Sequence, residues 1–334
     1  MPELKGQEKQ LNLSFFNSAN SLLNKLMPIM TPLAVVLGLV LGHYVSWMKP
    51  AVNWLFGIMT FFGAMKISVK EVGDAIKKPT FLLAFALGSY VLMPLVAYVI
   101  SHIFFNGNKE IISGYILLRA TPTAVVSTVW TTIYLGNMAA SISVLILDSF
   151  LSPLLTPFIL KLYTGEAIAV DSMGMMQSLL FMVLIPSFLG LLANHFFAPQ
   201  IKRLWSPVTN PISKLLIFIV IIINTSQQAA SIIENASWQY VLIGLGNILM
   251  VIIGFSLGFF CSRLMHLDRE KTISMTFSVS MRNTSAALVL AISFLPAAAS
   301  LPCIFGIVFQ QSMAAIMSKI YFEHVLPAKP TSEK

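Results

Sequence analysis

Apolar residues run along this chain in long blocks, broken at intervals by short polar segments. The blocks fall near 28–47, 51–67, 80–105, 111–134, 137–162, 174–197, 209–230, 238–262, 272–292 and 299–322. A helix across the hydrocarbon core of a bilayer takes about 20 residues, and these blocks are of that order. Turn-formers and charges separate most of them. The pattern predicts an all-α polytopic membrane protein with ten transmembrane helices. Two blocks carry an arginine: 111–134 holds Arg119 and 272–292 holds Arg282. A charge at bilayer depth costs roughly 3 kcal/mol on insertion scales, so it persists only against a partner or a wet cavity and marks a functional site.

Composition agrees. The chain is 57% hydrophobic and 10% charged, whereas soluble domains carry about 25% charged residues. Cys261 and Cys303 are isolated and the five histidines are scattered, so neither a disulfide nor a metal site is implied. The net charge of +8 does not point to nucleic acid, because the basic residues follow the loops. Lys5, Lys9, Lys25, Lys66, Lys70, Lys77, Lys78, Lys202, Arg203, Lys214, Arg263, Arg269, Lys271, Lys319, Lys329 and Lys334 fall on one side of a ten-span arrangement. Only Lys49, Lys109 and Lys161 fall on the other. By the positive-inside rule both termini are cytoplasmic in a cell membrane. Residues 1–27 form a polar N-terminal segment that lacks the apolar stretch and cleavage site of a signal peptide. Residues 324–334 read as a tail.

Leu37-Gly38-Leu39 with His43 recurs as Leu189-Gly190-Leu191 with His195, 152 residues later. The same offset carries span two onto seven, three onto eight, four onto nine and five onto ten. Five spans is an odd number, so a repeat over 28–163 and 164–323 must be inverted. Inverted-repeat transporters build their sites from discontinuous helices in matching positions of the halves. Spans four and nine qualify. Span four contains Thr121-Pro122-Thr123, Ser127-Thr128 and Thr131-Thr132. Span nine packs Ser278, Ser280, Arg282, Asn283, Thr284 and Ser285 into eight residues. Such polar density suits unwound backbone lining a cavity; the plain alternative is hydroxyls bonding back to their own helix.

On these residues the chain resembles the bile acid:sodium symporter superfamily. The stretch Ala120-Thr121-Pro122-Thr123-Ala124-Val125-Val126-Ser127-Thr128 stands for the family's span-four motif. Gly136-Asn137, Ser152-Pro153-Leu154-Leu155-Thr156-Pro157, Met93-Pro94 and the span-nine run Ser278–Ser285 match further motifs in order. The resemblance implies a panel of spans one, two, six and seven, a core of three to five plus eight to ten, and broken helices four and nine crossing in the core. It also places the family's sodium-ligand positions at Ser127, Thr128, Ser141, Leu145, Ser89, Ser278 and Arg282. Several of these depart from the family pattern. Thr128 replaces an Asn, Leu145 a hydroxyl, Ser89 a Gln, Ser278 the shared Glu, and Arg282 the Gln beside it. A hard cation wants several oxygens, some of them charged, so sodium binding is weakened on at least one site. A tethered guanidinium would stand where an ion once bound.

Asp148 adds an acid in the middle of span five. It serves either as the buried partner of Arg119 or Arg282, or as a proton carrier. Arg282, with Asn283, Thr121, Thr123 and, at the end of span seven, Asn224, is the candidate substrate set. Ser127, Thr128, Ser141, Asp148, Ser278, Ser280 and Arg119 are the candidates for cation coupling or ion pairing. Gln310-Gln311 either bridges to span nine or bonds neighbouring helices. The expected function is secondary active transport of a small organic anion by alternating access. No cofactor is implied beyond sodium or a proton as coupling ion. A sodium-independent proton-coupled carrier or exchanger is the alternative and a membrane sensor the remote one. Paired catalytic groups on facing loops are missing, so no enzyme is expected.

Overall fold

Polar residues and prolines decide where these helices start, stop and bend. The computed structural model describes residues 2–68, 70, 79–165, 171–227, 229–234 and 238–327; Lys77, Lys78, Gln228 and the tail from 328 onward lie outside them. The helices are α1 (Pro2–Ser46), α2 (Ala51–Ala64), α3 (Pro79–Ala86), α4 (Met93–Phe105), α5 (Lys109–Ala120), α6 (Val126–Ile133), α7 (Met138–Thr164), α8 (Ser172–Leu179), α9 (Ile185–Gln200), α10 (Ser206–Ser226), α11 (Ala229–Glu234), α12 (Trp238–Leu264), α13 (Arg269–Ser280), α14 (Thr284–Phe294) and α15 (Ser300–Lys319). Wider π turns join α3 to α4, α8 to α9 and α9 to α10. No strand occurs among the described residues.

Five helical runs are long and apolar enough to cross a membrane: Thr80–Phe105, Met138–Thr164, Ser172–Ser226, Trp238–Leu264 and Ala297–Val325. The 55-residue run bends at Phe197 (φ −128, ψ 23) and supplies spans six and seven. Spans four and nine each divide into two helices too short to cross alone. With α1 and α2 this makes ten spans among the described residues, two of them discontinuous. α1 is kinked at Gly42 (φ 26, ψ −108), near its C-terminal end.

The chain forms two compact units. One comprises Met1–Val72 and Met176–Ala236, the other Gly73–Met175 and Ser237–Lys334. The first holds spans one, two, six and seven, and the second the remaining six, which is the division the resemblance implies.

In the first unit α1 lies along α10, and α2 lies against α9 and α10. The short repeated motif has a physical role here. A Cβ on Gly38 would fall 2.7 Å from Ile222 O and from Thr225 Cβ. A Cβ on Gly190 would fall 2.7 Å from Met65 N and Ala64 Cβ. The two repeat-related glycines thus let α1 approach α10 and α9 approach α2, as small residues do between membrane helices. Gly38→Val or Gly190→Val is expected to cost about 1–3 kcal/mol through overpacking, read as a lower unfolding temperature in detergent. Gly63→Ala, which meets nothing within 4 Å, serves as the neutral comparison.

In the second unit α13 is surrounded. Every residue from Thr272 to Ser280 is buried, the pattern of a helix enclosed by protein on all sides. Its Ile273 and Phe277 share a core cluster with Phe255, Met281 and Phe322.

Candidate functional site

Span four breaks because Pro122 has no N–H and its ring excludes a helical residue before it; Thr121 is accordingly extended (φ −67, ψ 155). Span nine breaks without a proline. Met281 is extended, and the Asn283 side chain caps α14 by accepting from Ala286 N at 3.1 Å. The two unwound segments pair with one another. Ala124 N donates to Met281 O at 3.0 Å and Asn283 N to Pro122 O at 2.8 Å, so Thr123 faces Arg282 as in an antiparallel bridge. Each break therefore satisfies backbone groups that the other leaves open.

Gln310 on α15 completes the clamp. Its Oε1 accepts from Arg282 N at 3.1 Å and its Nε2 donates to Arg282 O at 2.9 Å. Of the two sequence alternatives for Gln310, bridging to span nine is the one realised. Thr156, between the two prolines of α7, donates to Ala120 O at 2.9 Å and closes the end of α5. The hydroxyl in that span-five motif thus caps the first half-helix.

Arg282 is fully buried. Its Nη1 lies 3.2 Å from Asp148 Oδ2 and 3.5 Å from Thr123 Oγ1, and its Nη2 donates to Ser89 O at 2.9 Å. Asp148 also accepts from Tyr90 OH, and from Thr123 N at 2.6 Å. The Thr123 hydroxyl sits 2.6 Å from Asp148 Oδ2 and 3.0 Å from Ser278 O, and has one proton for either. The guanidinium carbon stands 5.8 Å from the Phe85 ring and 5.7 Å from that of Tyr90.

Ser89 takes part through its carbonyl, and the sequence explains why that carbonyl is free. The π turn sends Met93 N to Gly88 O, and the next residue, Pro94, has no N–H to offer Ser89 O. The Met93-Pro94 motif leaves one carbonyl for the guanidinium.

Asp148 thus pairs with Arg282 and not with Arg119. Arg119 is 1% exposed and donates to Ser280 O at 3.4 Å, while its Nε has no partner. Among the described residues no acid pairs with it. Its charge lies at the C-terminal ends of α5 and α13, where a cation is favoured.

The remaining candidates separate into groups. Thr121, Thr128 and Ser280 bond back to their own helices at Leu118 O, Val125 O and Thr276 O, the plain alternative raised above. Ser141 Oγ lies 3.0 Å from Thr131 Oγ1, which donates to Ser127 O. The hydroxyls of Ser89, Ser127 and Ser278 are buried without partners. Asn224 is buried on α10, in the other unit, with its Nδ2 unpartnered. Tyr90, Phe85 and the Ser89 carbonyl were absent from the candidate set. A tyrosine beside Ser89 in the middle of an apolar span was the available signal.

Comparison with known proteins agrees with this architecture. A model described as the Sodium Bile acid symporter family matches residues 52–235. The protein YbaS of Bacillus subtilis is 32% identical over 308 residues, covering 92% of this chain and 100% of its own. The probable sodium/metabolite cotransporter BASS1, chloroplastic, of Arabidopsis thaliana is 28% identical over 298 residues, covering 88% of this chain and 72% of its own. Among solved structures, the sodium proton antiporter MjNhaP1 from Methanocaldococcus jannaschii superimposes with a TM-score of 0.52 at 13% identity, covering 98% of this chain and 99% of that one. That likeness is one of fold alone. The chain is a transporter rather than an enzyme. With ten spans, two broken helices paired at their breaks and homology across most of its length, this multi-pass membrane protein belongs to the sodium bile acid symporter family.

Proposed function

We propose that the protein carries a small organic anion, a carboxylate, across the cell membrane by alternating access, coupled to a cation, with both termini in the cytoplasm. The observation that carries this reading is the charge balance at the crossing. Two buried guanidiniums, Arg119 and Arg282, stand against one buried carboxylate, Asp148. The four half-helix ends that meet there are two N-termini and two C-termini, so their partial charges largely cancel. A surplus of one positive charge in a low-dielectric setting attracts one carboxylate and repels a free amine. Asn283, partly exposed at the break, and Thr128 are the polar groups best placed to meet it; Arg282 supports the site from behind rather than forming its open face.

Sodium is the coupling ion that the family and the relatives' names suggest. Its place in this chain is the hydroxyl set of Ser127, Thr131 and Ser141. Ser127 Oγ is buried and unpartnered, and the other two hydroxyls lie within bonding distance of each other. A second coupling is favoured by a separate observation. Arg282 and Asp148 already fill the crossing with charges of their own, and this suits a sodium-independent carrier driven by protons or by exchange.

Uptake of labelled organic acids into proteoliposomes tests both. The expected result is uptake driven by an inward sodium gradient, absent with choline at equal ionic strength. Ser127→Ala should then raise the half-saturating sodium concentration about tenfold, the effect of losing about 1.4 kcal/mol from one ligand. Uptake indifferent to sodium but driven by an inward proton gradient would transfer the coupling away from the hydroxyls. No acid taken up under any gradient would end the carrier reading.

A further inference from the structure

The groups around the Arg282 head make a cage that suits a free cation. A carboxylate oxygen of Asp148, the Ser89 carbonyl and the Thr123 hydroxyl all face the guanidinium nitrogens. Oxygens of this kind are the ligands that hard cations take. The ring faces of Phe85 and Tyr90 add attraction for an organic cation. Backbone features hold its principal oxygens independently of the charge between them. Pro94 frees the Ser89 carbonyl, the backbone N–H of Thr123 fixes Asp148, and Gln310 holds the backbone of Arg282 from the opposite side.

We infer that Arg282 is a tethered cation, permanently occupying a cage that a soluble monovalent cation would otherwise enter and leave. This rests on the carrier reading above and deepens it: the transport cycle runs with one dissociable cation fewer than the cage could hold. Arginine keeps its proton in proteins, so the cage neither empties nor neutralises by losing one. Asp148 is then a counter-ion of fixed charge, with no part in carrying a proton.

Removing the tether should reopen the cage. Arg282→Ala deletes the guanidinium and leaves Asp148, Ser89 O and Thr123 in place. In purified protein in lipid nanodiscs, millimolar guanidinium or methylguanidinium chloride is expected to raise the unfolding temperature of Arg282→Ala and to leave the wild type unmoved. Sodium should give a smaller rise and choline none. Asp148→Asn in the Arg282→Ala background should abolish the response. Guanidinium should also restore acid uptake by Arg282→Ala. If Arg282→Ala can be recovered only when guanidinium is present during purification, that too supports the tether. Recovery and unfolding temperature that are the same in guanidinium and choline would overturn it. The thermal readout needs no substrate, so its failure removes the tethered cation alone. Failure of the wild type to take up any acid removes the carrier reading and leaves the thermal result standing.

Discussion

Asp148→Ala is expected to remove most of the folded protein from a membrane preparation. The substitution strands the Arg282 guanidinium at a position with no accessible surface. Breaking a buried ion pair by deleting one partner costs about 3–5 kcal/mol, because the remaining charge is left uncompensated. It also deprives Tyr90 OH and Thr123 N of their acceptor, at about 1–3 kcal/mol for each buried group. Native stabilities are about 5–15 kcal/mol, so the sum approaches the whole margin. Replacing both members by apolar residues is a different matter, since a buried pair often contributes little net stability against well-packed hydrophobes. Asp148→Leu with Arg282→Met should therefore fold better than Asp148→Ala alone while remaining inactive in uptake. The measurement is a double-mutant cycle on unfolding temperature and on monodisperse yield in detergent. Additive effects, with the double variant no better than the worse single one, would show that the two charges do not depend on each other.

That pair also shows what a sequence can and cannot disclose. Ten spans, two broken helices and a one-sided charge bias were legible, because lipid demands long apolar helices and tolerates few charges. Arg119 and Arg282 stood out for the same reason. Which of them meets Asp148 was not legible. Arg119 lies in the last turn of a half-helix and Arg282 in the unwound break of span nine, close to the same crossing, and the choice depends on side-chain direction and on the pairing of Thr123 with Arg282. The roles of the hydroxyls were equally hidden. Thr121, Thr123 and Thr156 look alike in sequence. One bonds its own helix, one bonds a carboxylate, and one reaches 36 residues back to close a helix end. The Ser89 carbonyl could not be found by counting polar side chains, since its contribution depends on a π turn and the missing N–H of Pro94. The repeated Leu-Gly-Leu was visible, but its meaning as paired helix contacts required coordinates.

Gln310→Leu is expected to produce the second largest loss, although Gln310 carries no charge and bonds Arg282 only through its backbone. Span nine has no proline to force its break, so something must satisfy the backbone of Arg282 where the helix stops. Gln310 does so on both sides, accepting from Arg282 N and donating to Arg282 O. Leucine is of similar size and can do neither. Arg282 O keeps Thr284 N at 2.8 Å, but Arg282 N is left buried without a partner. The two lost bonds together should cost about 2–4 kcal/mol at this depth. The adjacent Gln311 gives the comparison. Its Oε1 accepts from Trp130 Nε1 at 3.0 Å at a partly buried position, so Gln311→Leu should cost about 1 kcal/mol or less. Function adds a sharper readout than stability. Loosening the Arg282 backbone displaces the guanidinium relative to Asp148, so Gln310→Leu should lower acid uptake even after correction for folded protein, whereas Gln311→Leu should not. Equal thermal and uptake losses in the two variants would mean that the span-nine break is held by its pairing with span four alone, without help from α15.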